Sequence, residues 1–201
     1  MIKQKTGLIS SESRKKFFML MTAIITLGII IGSCMAVSEN NIIFQNNFFN
    51  QYISPIHRGN TLLEITKNTF ISSSSVIAVI FCTGFFAVGQ PASILALIYR
   101  GFGIGLSVAL TYMTFGKNGF YITLIFIIPK ILATSVIIML GARESMKLSN
   151  IIYSYLFRGI SEDNMTRYIR LYCIKFIVLI FFCFVTAVAD GGLNYFFGYL
   201  L

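Results

Sequence analysis

Apolar residues in this chain come in long unbroken blocks rather than in alternation with polar ones. Phe17 to Val37 is 21 residues without a charge. At ~1.5 Å per residue, a helix of that length covers a hydrocarbon core of about 30 Å. Phe70 to Tyr99 is a second block, 30 residues without a charge, too long for one upright span. Gln90-Pro91 breaks it, because proline has no N–H to donate and disfavours helix in the residue before it. After Arg100 the chain is uncharged again from Gly101 to Gly116. Gly119 to Ala142 forms a further block, interrupted by Pro129-Lys130, and the last block runs from about residue 174 into the 190s, with Asp190 near its far end. The pattern predicts an all-α, polytopic membrane bundle, a single domain over residues 1–201. Its five spans lie at about 17–37, 70–90, 92–116, 119–142 and 174–195.

The segments between the blocks are polar. Residues 38–69 are rich in Asn and form the largest loop; Phe48, Phe49 and Tyr52 are suited to its membrane interface. Thr61-Leu62-Leu63-Glu64 has the spacing of a capping box, so a helix should start there. His57 in this loop reads as a solvated side chain. Residues 143–173 form a second loop, in which Ser161-Glu162-Asp163 has the capping residue and acids of a helix start. The turn between spans two and three is placed between Gln90 and Arg100. With Pro91–Tyr99 as an interfacial segment, Arg100 sits at the headgroups; were that segment helical, Arg100 would lie deeper and need to snorkel or pair.

Charge orients the spans. With the N-terminus inside, the cytoplasmic face holds Lys3, Lys5, Arg14, Lys15 and Lys16, then Arg100, then the basic residues from Arg143 to Lys175. The outer face holds only Arg58, Lys67 and Lys117. Basic residues collect on the cytoplasmic side of membrane proteins, so the expectation is N-inside and C-outside, with 38–69 as the outer loop and 143–173 as the cytoplasmic loop.

Composition supports a lipid environment. Apolar residues make up 56% of the chain and charged ones 11%, against roughly a quarter charged in a soluble domain. The net charge of +9 would suggest nucleic acid in a soluble protein. Here the basic residues flank apolar blocks, so they serve orientation and contact with lipid headgroups, and no nucleic-acid partner is implied. Cys34, Cys82, Cys173 and Cys183 lie in or beside apolar runs without close pairing and read as small buried hydrophobes. Ile31-Gly32-Ser33-Cys34 loosely resembles a lipoprotein cleavage site, which leaves processing and acylation at Cys34 as an alternative.

Two small-residue faces stand out. Gly28, Gly32 and Ala36 fall at four-residue spacing in span one, and Gly101, Gly105 and Ala109 do so in span three. Such faces let helix backbones approach closely, either within this bundle or against another protein. Gly101-Phe102-Gly103-Ile104-Gly105 lacks the strand–turn–helix setting of a dinucleotide fingerprint. Lys130 lies in mid-span, where a lysine costs roughly 2.5–3.5 kcal/mol on insertion scales. Pro129 frees the Ile125 carbonyl as a nearby acceptor for it, and only Asp190, near the outer end of its span, could counter the lysine's charge from an apolar span. No Ser-His-Asp set, carboxylate pair within one face or metal-spaced histidine cluster is present, so neither an enzyme nor a cofactor is expected.

Three stretches together resemble the stage II sporulation protein M family. The first is Gly28-Ile29-Ile30-Ile31-Gly32 after a basic tail. The second runs from Gly84 to Gly116, with Gly89-Gln90-Pro91, Arg100 and Gly101-Phe102-Gly103-Ile104-Gly105 in order. The third is Phe115-Gly116-Lys117-Asn118-Gly119-Phe120, then Pro129 and Gly141. In the wider membrane family the proline is often followed by His-Gly and a Glu three residues later. Here Lys130 and Ile131 follow Pro129, and Thr134 stands at the Glu position; this departs from the wider family and resembles the sporulation branch, which also lacks that set. The resemblance implies a non-catalytic anchor in the septal or engulfing membrane of the mother cell. It would localise two peptidoglycan-degrading partners, stage II sporulation proteins D and P, during forespore engulfment. A small channel or transporter subunit is the alternative, motivated by Lys130 and Arg100.

Overall fold

The computed structural model describes residues 11–37, 62–87, 89–158 and 165–197. Every regular element among them is helical: α1 Ser11–Val37, α2 Leu62–Gly84, α3 Gly89–Phe115, α4 Lys117–Ile122, a π-helical turn Thr123–Ile127, α5 Ile128–Arg158 and α6 Met165–Phe197. Four helices are long and apolar enough to cross a membrane: Lys15–Val37, Leu62–Gly84, Gly89–Phe115 and Met165–Leu193. The block expected at 119–142 is built from α4, the π turn and the first half of α5. The expected features in 38–61 and at Ser161-Glu162-Asp163, with His57, lie outside the described residues.

The hairpin between α2 and α3 differs from the sequence reading. Pro91 does not break a helix; it sits in the first turn of α3, where backbone N–H groups have no intrahelical partner to lose. The chain turns earlier, over Phe85–Ala87, where Phe85 and Phe86 donate to Cys82 O and Thr83 O at 3.2 Å each. Gly89 N donates to Phe86 O at 3.1 Å. Moving the turn back leaves Arg100 well inside a continuous helix. It is 2% exposed, enclosed by protein rather than lying on an interfacial segment.

At the other end of α3, Gly116 takes φ 55°, a left-handed conformation that favours glycine. Gly116 N donates to Tyr112 O at 2.8 Å, and α4 starts at once. Pro129 is the second residue of α5, one residue beyond the π turn. A π turn is one of the local adjustments by which a membrane helix absorbs a proline. Helix α5 then continues through the basic stretch to Arg158, so residues 143–158 are helix rather than loop.

Helices α2, α3, α5 and α6 pack against one another, and α1 lies along α3. The core gathers Met21 and Ile25 from α1, Ile77 and Ile80 from α2, Leu97 from α3, Ile138 from α5, and Phe176 and Cys183 from α6. Outward positions such as Leu95, Leu132, Ile177 and Phe181 are exposed apolar side chains, as a lipid-facing surface requires. All four cysteines are free thiols, but only Cys183 is buried as expected; Cys173 is half-buried, and Cys34 and Cys82 are exposed on outward helix faces.

Candidate functional site

The two small-residue faces meet each other. A Cβ on Gly28 would stand 2.6 Å from Ile98 O and 3.0 Å from Gly101 Cα. A Cβ on Gly32 would run into Phe102 O, one on Gly101 into Ile25 O, and one on Gly105 into Ile29 O. Ala36 is buried and Ala109 half-buried along the same seam. Ser33 Oγ adds a long bond to Gly105 O at 3.4 Å. Of the two uses open to these faces, the fold takes the internal one: they join α1 to α3 at backbone contact.

Polar side chains occupy three levels inside the bundle. At the first, Lys130 Nζ lies 2.8 Å from Asp190 Oδ2 and 3.1 Å from Thr69 Oγ1. Thr69 donates to the same carboxylate oxygen at 2.7 Å. The Asp190 side chain is 3% exposed and that of Lys130 16%. Three helices, α2, α5 and α6, therefore close on one ion pair. The Ile125 carbonyl was the acceptor the sequence pointed to; the ammonium reaches a carboxylate and a hydroxyl instead, because helix α6 brings Asp190 alongside. A buried charge is tolerated in a low-dielectric interior when it is both paired and hydrogen-bonded.

The second level lies one turn along α5, about 6 Å away. Arg100 Nη2 donates to Thr134 Oγ1 at 2.9 Å, and Thr134 donates to Lys130 O at 2.8 Å. Thr134 is thereby placed beside a guanidinium.

The third level lies at the α2–α3 turn, about 21 Å from Thr69 along α2. Thr83, Ser93 and Ser145 form a triangle of hydroxyls at 3.1–3.2 Å. Ser149 Oγ accepts from Gly89 N at 3.1 Å and donates to Phe86 O at 2.8 Å. Tyr172 donates to Phe81 O at 2.9 Å. A Cβ on Gly84 would strike the Tyr172 hydroxyl. This level ties the turn to α5 and α6.

Just beyond it, Glu144 accepts from Lys147 at 2.7 Å and from Lys175 at 2.5 Å. Partial burial pushes the Glu144 carboxyl up, but the two lysine hydrogen bonds and charges outweigh it and hold the group below the ordinary carboxylate value. Arg143 lies over the Phe18 ring at 5.8 Å, a cation–π contact between α5 and α1.

Sequence reasoning singled out Arg100, Pro129, Lys130 and Asp190, and the fold brings Lys130 to Asp190 and Arg100 to the turn after Pro129. It missed Thr69 and the hydroxyl triangle, and noted Thr134 only as a departure from the wider family's pattern. One signal was available: Gly141, Ser145 and Ser149 repeat at four-residue spacing, a small-residue face like the glycine ones.

A family model described as Stage II sporulation protein M matches residues 19–191. No curated protein and no solved structure matches the chain.

Proposed function

Because this chain belongs to the stage II sporulation protein M family, we propose that it is a membrane anchor without catalytic activity of its own. It localises the peptidoglycan-degrading stage II sporulation proteins D and P at the septal and engulfing membrane of the mother cell while the forespore is engulfed. The observation that carries this reading is the family match across 19–191, which takes in the second and third membrane-length helices whole and most of the first and last. The interior supports it. The Lys130–Asp190 pair, the Arg100–Thr134 bond and the hydroxyl triangle join helix to helix, and the glycine faces are spent on α1–α3 packing, as suits a platform that holds its shape.

The same reading places five crossings in the membrane, N-inside and C-outside, with α4, the π turn and the start of α5 as the fifth. Burial of Arg100 removes one basic residue from the inner count, yet the tail and the Arg143–Lys175 stretch still outweigh Arg58, Lys67 and Lys117.

The test is affinity purification of the tagged protein from sporulating cells of its host. Recovery of the two wall-degrading proteins is the expected result; their absence from a preparation in which the bundle is intact overturns the anchor. A channel or transporter subunit is the second reading, favoured by the charged side chains of Lys130, Asp190 and Arg100 inside the bundle. It requires water beside Lys130, so a Lys130→Cys protein that never reacts with polar thiol reagents counts against it.

A further inference from the structure

Packing closes the α1–α3 seam at backbone distance, but it leaves the α5–α6 seam open on the lipid side. A groove of about 450 Å³ runs along it, walled by Val136 and Leu140 of α5 and by Ile174, Val178 and Phe182 of α6. Val136, Ile174, Val178 and Phe182 are exposed. From Lys175 to Phe182 the apolar wall extends about 10 Å, two turns of helix, within a monolayer core of roughly 15 Å.

One end of the groove is charged. Glu144 and Lys175 line it, and Lys147 lies on the Glu144 face one turn further out. The two ammonium groups bracket a single carboxylate, so the mouth carries a net positive charge. The carboxylate is largely covered, at 17% exposure, whereas Lys147 and Lys175 remain 39% and 52% exposed. Each ammonium has three N–H donors, and Glu144 takes one from each.

We propose that this groove binds one anionic phospholipid, with its phosphate on Lys147 and Lys175 and an acyl chain along Val136, Leu140, Val178 and Phe182. Charge complementarity selects the headgroup: an anionic lipid neutralises the mouth, whereas a zwitterionic one brings a third ammonium to it. The wall selects an acyl chain over a partner helix. Helices meet in lipid through small residues that let backbones approach, as Gly28 and Gly101 do here. The α5–α6 walls instead present branched and aromatic side chains, whose irregular surface a flexible chain can follow.

The chain has no tryptophan, so a single introduced indole reports on one place. The probe is quenching of a Phe182→Trp protein, in mixed bilayers, by brominated phosphatidylglycerol against brominated phosphatidylcholine. A Leu132→Trp protein reports the open lipid-facing surface near the other end of α5. Phosphatidylglycerol should be preferred about tenfold at position 182 and near unity at position 132. Lys147→Gln with Lys175→Gln should bring the preference at 182 to near unity, while Lys147→Arg with Lys175→Arg retains it, provided circular dichroism shows each variant folded. Equal quenching by the two lipids at 182, or a preference that survives the glutamine pair, overturns the proposal. Quenching by neither lipid at 182 while 132 is quenched also overturns it, because the groove is then covered by protein.

Discussion

Lys130 and Asp190, 60 residues apart in sequence, meet at 2.8 Å inside the bundle, with Thr69 bonded to both. Each residue alone is costly in lipid; together they hold α5 to α6 and, through Thr69, to α2. The pairing gives Lys130 a structural partner inside the bundle.

Removal of one partner leaves the other charge buried. Asp190→Asn or Lys130→Met should lower stability by about 3 kcal/mol. The double variant Lys130→Met with Asp190→Leu should be less destabilised than the sum of the singles. Denaturant unfolding of the detergent-solubilised protein measures this cycle, and strict additivity would show that the two groups do not interact.

The α1–α3 seam has no room for a side chain at Gly28, Gly32, Gly101 or Gly105. Gly28→Ala and Gly101→Ala should each cost about 1–3 kcal/mol, and leucine more. The loss should appear in the purified chain, with no partner present, as a lower melting temperature. A protein of unchanged stability that has lost only partner binding would place these faces outside the bundle's own packing.

Thr134 accepts from Arg100 and bonds back to Lys130 O. Thr134→Val keeps the shape and removes the acceptor, so it should cost about 1 kcal/mol. Thr134→Ser should restore most of it. If valine is as stable as threonine in the same unfolding assay, the Arg100 contact contributes nothing.

Glu144 gives the fold an acid sensitivity at its basic end. Its carboxyl is held below the ordinary value, about 4.3, by Lys147 and Lys175 against the opposing effect of burial. Its contribution is therefore complete above the ordinary value and is lost as pH falls through the depressed folded one. Glu144→Gln should flatten the stability profile on that acid limb and leave the shape of the neutral range unchanged. Thermal unfolding across acid pH reads the difference.

Orientation is open to thiol labelling in a protein freed of its own cysteines. Lys67→Cys and Lys117→Cys should react with a membrane-impermeant reagent on intact cells, and Lys147→Cys only after permeabilisation. The reverse pattern would invert the bundle.

Helix positions were legible in the sequence because uncharged runs of membrane length have one economical fold in lipid. The glycine faces were legible too, since four-residue spacing is a property of a single helix. Proline was misleading at Pro91. Its consequence depends on where in a helix it falls, and the sequence alone did not show that the turn lay at Phe85–Ala87. Thr69, Thr134 and Ser93 carried no local signal, because a hydroxyl in an apolar helix can satisfy itself on its own backbone, as Thr111 does on Ser107 O.

The sequence by itself determined that this chain is helical and belongs in lipid, since both follow from composition and from runs along one strand of chain. Only the tertiary structure decided that the two glycine faces bind each other, that Arg100 is buried beside Thr134, and that Lys130 finds Asp190. Those are relations between helices, set by how the helices align side by side, and no spacing along the chain encodes that alignment.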